Sequence, residues 1–172
     1  MAIYFIGDTH FDDKNIIDFA NRPFKNVVEM NNHIVNEWNS VVKKNDIVYI
    51  VGDFISENYK NDTISLINKL NGFKILIRGN HDTMSDEKYH NFGIDKIYDH
   101  PIILENFYII SHDAMYVNDS MPYVNIFAHV HNNPIYKDYG KHHFCVSVER
   151  PAMKYVPIQF NKIKEIIKDE YV

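Results

Sequence analysis

Four short segments of this chain hold a set of side chains that could grip a pair of cations. They are Asp8-Thr9-His10, Gly52-Asp53, Gly79-Asn80-His81-Asp82 and His129-Val130-His131, joined by the single His112. Carboxylate and amide oxygens mixed with imidazole nitrogens suit divalent ions such as Mn²⁺, Fe²⁺, Zn²⁺ or Ni²⁺ better than Ca²⁺. Two such ions activate water and neutralise a phosphoryl group, so the chemistry indicated is metal-assisted attack on a phosphate ester.

Asp8 and His10 are two residues apart, and alternate side chains of extended backbone share a face. One ion is then within reach of both, although Gly7-Asp8-Thr9 alone is also ordinary turn chemistry. Gly52 would allow a sharp bend, and the two oxygens of Asp53 could bridge two ions. In the third segment Asn80 offers a neutral oxygen. His81 is placed to give a proton to a leaving oxygen. Asp82 would hold that imidazole in one orientation, and the planar fork of Arg78 matches phosphate oxygens. His129 and His131 repeat the alternate-residue logic, and His112 supplies a further nitrogen. The other histidines (His33, His90, His100, His142 and His143) lack such partners and read as surface or core residues. The His142-His143 pair is also a candidate for a cleft rim.

Each segment follows an apolar, β-branched run, so strands must deliver the ligands. Strands are expected at 2–7, 46–51, 73–77, 94–98, 102–104, 107–110, 123–127 and 144–148. Val27, Ile34, Trp38 and Val41 fall near helical spacing, which predicts a helix over 27–42 with Asn26 as its cap. A second helix, capped by Asp62, should carry Ile64, Leu66, Ile67 and Leu70 and end near Asn71-Gly72. A short helix is expected over 85–91, and a closing helix over 161–171 with Ile163, Ile166 and Ile167 inward. Alternating β and α early, then mostly β, favours a layered α/β fold. Ligand sites in such folds gather at the carboxyl ends of the strands.

The chain has 172 residues, 45% of them hydrophobic and 24% charged, which fits one globular domain over residues 1–172. Its net charge of −5 and lack of a polybasic run argue against a strong non-specific grip on nucleic acid. Cys145 is the only cysteine. It lies in an apolar run, reads as a buried structural thiol and fits a reducing cytoplasm. The N-terminus lacks a basic leader and reads as a first strand. No apolar run approaches the roughly 20 residues of a membrane span.

In order and approximate spacing, the motifs from Asp8 to His131 resemble the calcineurin-like metallophosphoesterase superfamily. The chain looks most like its small single-domain bacterial and phage members, which often open with Asp-Thr-His-Phe and carry Ile-Arg-Gly-Asn-His-Asp. The late segments Val146-Ser147-Val148-Glu149 and Tyr155-Val156-Pro157-Ile158 look like the closing strands of that group. The resemblance implies a four-layer β-sandwich of two mixed sheets flanked by α-helices. It also implies two divalent metal ions, with manganese the leading candidate. Asp8, His10 and His131 would hold the first, and Asn80, His112 and His129 the second, with Asp53 bridging. His81 would stand by the leaving group, backed by Asp82, with Arg78 near the phosphate. Two positions depart from the pattern. Ala128 replaces a glycine, which requires its backbone to avoid φ > 0. Asp12-Asp13 stands where small bacterial members often have Gly-His, so a role at that position does not carry over.

The expected activity is hydrolysis of a phosphomonoester or phosphodiester, nucleotide-like, by metal-activated water. A nuclease acting on longer nucleic acid is the alternative, and a non-enzymatic module retaining the fold is the third reading. Tyr116, Tyr123, Tyr136 and Tyr139 flank the last motifs. Core or interface packing is the commoner use of such aromatics, and stacking on a base the other. Oligomeric state is not legible.

Overall fold

The apolar runs become parallel strands. In the computed structural model, which describes residues 1–170, they are β1 (Ile3–Ile6), β2 (Ile47–Val51), β3 (Phe73–Ile77) and β4 (Lys96–Tyr98). They are largely buried in β2 and β3 and more exposed toward the sheet edge at β4. With antiparallel β10 (Ile158–Gln159) they form one mixed sheet in the order β10-β1-β2-β3-β4. The second sheet joins β5 (Ile102–Leu104), β6 (Tyr108–Ile110), β7 (Val124–Phe127), β8 (Tyr139–Gly140) and β9 (His143–Cys145). Its order is β5-β6-β7-β9-β8, with β6, β7 and β9 parallel and both edges antiparallel. The sheets meet where Gly7 N–H donates to the Val146 carbonyl at 2.8 Å and Gly7 bridges Ser147. Two mixed sheets with flanking helices are the sandwich that the resemblance implied.

Among the described residues five helices complete the fold: α1 (Asn15–Phe19), α2 (Val27–Val41), α3 (Asn61–Ile67), α4 (Asp86–Asn91) and α5 (Phe160–Asp169). Asn26 caps α2 as expected, its Oδ1 accepting the Glu29 N–H at 2.9 Å. The buried stripe of α2 is Met30, Asn31, Ile34, Val35 and Trp38. Trp38 is fully buried, and its truncation to alanine would cost about 3–5 kcal/mol. Asp62 does not cap α3. Lys60 occupies that position and Asp62 lies in the first turn, where its charge favours the helix dipole instead. The short α1 was not anticipated, because a single buried residue, Ile16, leaves no period to detect. The expected strand over 144–148 ends at Cys145 and survives beyond it only as the Ser147 bridge. The inner face of α5 is Phe160, Ile163 and Ile167, and the expected end of that helix at Tyr171 lies outside the described residues. Cys145 is fully buried. No helix is long and apolar enough to cross a membrane among the described residues.

Candidate metal centre

Parallel pairing carries the ligands to one edge. The β1–β2 register runs Ile6 beside Ile50 and continues past the strands, with Asp8 N–H donating to Gly52 O at 3.0 Å and His10 N–H to Asp53 O at 2.9 Å. Val51 pairs with Ile77, so Asn80 leaves β3 at the same edge. In the second sheet Ile110 pairs with Ile126, and Ala128 N–H then donates to His112 O at 3.0 Å, which brings His112 beside His129.

The loops at this edge are conformationally costly. Asp8, His10, Asp53, His129 and His131 all lie at positive φ, between 46° and 69°. Non-glycine residues rarely adopt that region, and such backbone clusters at working sites. Gly52, at φ 79°, lies so close to His112 that any Cβ would strike its ring, and a Cβ on Gly79 would strike the Asp53 carboxylate. Ala128 is not among the positive-φ residues, so its methyl group adds no backbone strain.

Two groups of ligand atoms result, each with its atoms within 4.8 Å of one another: Asp8, His10, Asp53 and His131, and Asp53, His112 and His129. Asp53 is common to both, and one oxygen faces both sides. Oδ2 lies 3.4 Å from His10 Nε2 and 3.3 Å from His112 Nε2. Asn80 Oδ1 completes the second group, 3.0 Å from His112 Nε2 and 2.9 Å from His129 Nδ1. All seven sequence candidates for metal binding therefore converge.

The donor set fits a cation. Asp8 Oδ2 and His10 Nε2 are buried without a hydrogen-bond partner, a cost that a bound ion would remove. The His112 Nδ1 atom lies 3.0 Å from the Val51 carbonyl, so it carries the proton and leaves Nε2 to face the cluster. Burial alone would push the His10 and His112 imidazoliums down. Asp13 and Asp53 at His10, and Asp53 with Asp8 at His112, outweigh it and lift both to about 9. Burial likewise favours protonated Asp53, but the two histidines hold its carboxyl far below the usual range.

His81 and its neighbours stand differently from expectation. The His81 N–H donates to Asp53 Oδ1 at 2.9 Å, and its exposed ring lies 5.4 Å from the His10 ring, at the mouth of the cluster. Asp82 does not orient that ring. Its buried carboxylate accepts the backbone N–H groups of Asp53 (2.7 Å), Phe54 (3.0 Å) and Gly79 (2.9 Å) and the Tyr89 hydroxyl (3.2 Å). Asp82 therefore fixes the loop bearing Asp53. Arg78 is also committed elsewhere. Four of its five N–H groups go to Asp99, the Asp82 and Met84 carbonyls and Asp86, and its guanidinium lies 4.8 Å over the Tyr89 ring. One N–H is left over from these contacts.

Three supporting residues were not anticipated. Asp13 Oδ2 lies 3.5 Å from His10 Nδ1. Glu149 Oε1 lies 3.1 Å from His131 Nδ1 and accepts two bonds from Arg22, at 2.6 and 2.8 Å. Arg22, with no exposed side-chain surface, also donates to the carbonyls of Asp8 (2.6 Å) and Thr9 (3.0 Å). Burial would raise the Glu149 carboxyl, but His131 and Arg22 hold it down.

A family model described as calcineurin-like phosphoesterase matches residues 1–169. The chain belongs to the calcineurin-like phosphoesterase family. It is 49% identical over 86 residues to an uncharacterised protein of Methanocaldococcus jannaschii, a stretch covering 49% of each. It is 36% identical over 81 residues to the gene 66 protein of Mycobacterium phage L5, covering 46% of this chain and 39% of that one. The chain thus spans half or less of the length of these curated relatives. Among solved structures, a protein of unknown function from Aquifex aeolicus superposes with a TM-score of 0.72 at 30% identity, covering 96% of this chain and 99% of that one. A nuclease from Pseudomonas putida shares the fold, with a TM-score of 0.53 at 18% identity over 75% of this chain and 60% of that one.

Proposed function

We propose that the chain is a two-metal phosphoesterase that hydrolyses a phosphomonoester or phosphodiester of nucleotide type. One observation carries this reading. A single carboxylate, Asp53, is shared by two ligand groups, one of which holds buried polar atoms with no partner. Asp8, His10 and His131 would hold one ion, and Asn80, His112 and His129 the other, with manganese first among the candidates and iron, zinc or nickel compatible. When bound, the pair supplies Lewis acidity that makes water nucleophilic near neutral pH and neutralises phosphoryl oxygens.

The residues of the chain do the rest. His81, exposed at the mouth and tethered through its backbone to Asp53, would protonate the departing oxygen, a contribution of about 10²–10⁴-fold. Asp82 and the glycines at 52 and 79 keep the Asp53 carboxylate in place. Arg78 acts on substrate at most through its remaining N–H. The single buried cysteine keeps the cytoplasm as the proposed compartment.

Monoesters, cyclic nucleotides and dinucleotides assayed with Mn²⁺ test the reading. Turnover of at least one class is expected, lost on chelation and in Asp53→Asn. Metal-independent turnover, or none on any class, would contradict it. A nuclease acting on longer chains is the second reading. Its support is a cavity of about 400 Å³ lined by Lys14, Lys25 and Lys60 together with Asp12 and Asp18. Steeply salt-dependent cleavage of single- or double-stranded substrates would favour that reading.

A further inference from the structure

Exposed apolar side chains concentrate in one stretch of this molecule. Tyr116 is 89% exposed and Ile135 84%, and Met115, Met121, Tyr136 and Tyr139 are exposed as well. Clustered apolar exposure of this kind marks a binding surface. Met115, Tyr116, Ile135 and Tyr136 all line one cavity of about 440 Å³.

The walls of the cavity are chain segments that leave the metal centre. One wall, residues 114–117, follows His112, and the other, 135–137, follows His131. Asp113, at the root of the first wall, lies 3.8 Å from His129 Nε2. Buried polar residues hold both walls from within. Asn125, with no exposed surface, accepts the Met115 N–H at 2.7 Å and donates to the Ile109 carbonyl and the Ser111 hydroxyl. Arg150 donates to the carbonyls of Tyr136 (2.8 Å) and Asn133 (3.0 Å). Burying an amide or a guanidinium is costly unless it is hydrogen-bonded. Here Arg150 spends two bonds on the backbone of one exposed loop, and Asn125 ties the other loop, through the Met115 N–H, to β6 and Ser111. Fixed walls with free aromatic tips suit a flat ligand.

Polar groups converge on the same space. Lys137 and His143 line it, and the His143 ring lies 6.1 Å from that of Phe127. Among the described residues, neither the Lys137 ammonium nor the His143 ring has a hydrogen-bond partner. Burial and the nearby Lys137 charge push the His143 imidazolium down, so the neutral ring can both donate and accept.

We infer that this cavity receives the nucleobase of the substrate, with Tyr116 and Tyr136 as stacking faces and Lys137 and His143 meeting the base edge. The inference deepens the phosphoesterase reading and rests on it for the position of the ester. It predicts a preference for nucleoside esters over base-free esters of equal reactivity.

The test compares two chromogenic diesters, the p-nitrophenyl ester of thymidine 5′-monophosphate and methyl p-nitrophenyl phosphate, on the manganese-loaded chain. Tyr116→Ala should lower the ratio of their kcat/KM values about 5- to 100-fold, the range for stacking one base on one aromatic ring. Tyr116 is too exposed for its loss to unfold the chain. In parallel, equilibrium dialysis with thymidine 5′-monophosphate should show binding that Tyr116→Ala and Lys137→Gln each weaken. An unchanged ratio together with unchanged nucleotide binding would overturn the base pocket. So would a dimer in sedimentation that disappears in Tyr116→Ala, because a second copy would then be the occupant. Failure of the wild-type chain to hydrolyse either ester, with Tyr116-dependent nucleotide binding retained, would count against the phosphoesterase reading and leave the pocket standing.

Discussion

The two halves of the candidate metal centre share Asp53 but are built differently. The half around Asp8, His10 and His131 is buried throughout, and two further carboxylates support its imidazoles, Asp13 at His10 and Glu149 at His131. Arg22 ties Glu149 to the Asp8 carbonyl, so the whole half is cross-braced. The half around Asn80, His112 and His129 opens outward. Asn80 is exposed, the His129 side chain is 43% exposed, and the nearest carboxylate to His129 beyond the cluster is the exposed Asp113. Only His112 is buried there, oriented by a backbone carbonyl. Rigid outer partners raise ligand basicity and fix geometry. The contrast therefore predicts a tight, permanently filled half and a weaker, exchangeable half on the substrate side.

Removing what the halves share should have the largest effect. Asp53→Asn is expected to lower metal content toward zero and turnover by about 10³-fold or more, as metal analysis and steady-state kinetics would show. If this variant kept one tightly bound ion, the first half would not need the bridge. Asn80→Ala should act on the open half alone, weakening the second ion by about 100-fold while the first stays bound. Glu149→Gln reverses that selectivity. It should weaken the first ion by about 10–50-fold and leave the second nearly unaffected. Titrations that showed both variants acting equally on both ions would erase the proposed asymmetry.

The smallest effect is on pH. In the metal-free protein the raised histidines, both near 9, stabilise the fold fully below their ordinary value of about 6.5, and that contribution is lost as pH rises through about 9. The same protons must leave before metal binds, so apparent metal affinity should climb up to about pH 9. Calorimetry in two buffers of different ionisation enthalpy would reveal proton release, and its absence would contradict the arrangement of His10 and His112 around Asp53.

Much of this centre was legible in the residue order. Asp8, His10, Asp53, Asn80, His112, His129 and His131 each follow an apolar run, and parallel register brings strand ends together. What supports them was not legible. Arg22 and Glu149 are 127 residues apart, and no local pattern announces their contact. Arg78 and Asp82 sit inside a motif that suggests chemistry, yet their side chains face backbone amides, carbonyls and Tyr89. A motif fixes which residues are near the site, whereas the orientation of each side chain depends on the packing around it. In the fold, long β-branched runs such as Ile47–Val51 were plain. The two-residue β8 and the five-residue α1 were too short to show a period.

Anomalous diffraction from crystals of the manganese-loaded chain tests the central claim most directly. Two anomalous peaks should flank Asp53 Oδ2, the stronger beside Asp8 and His10 and the weaker beside Asn80 and His129. A single peak, or peaks remote from Asp53, would contradict the shared-carboxylate centre.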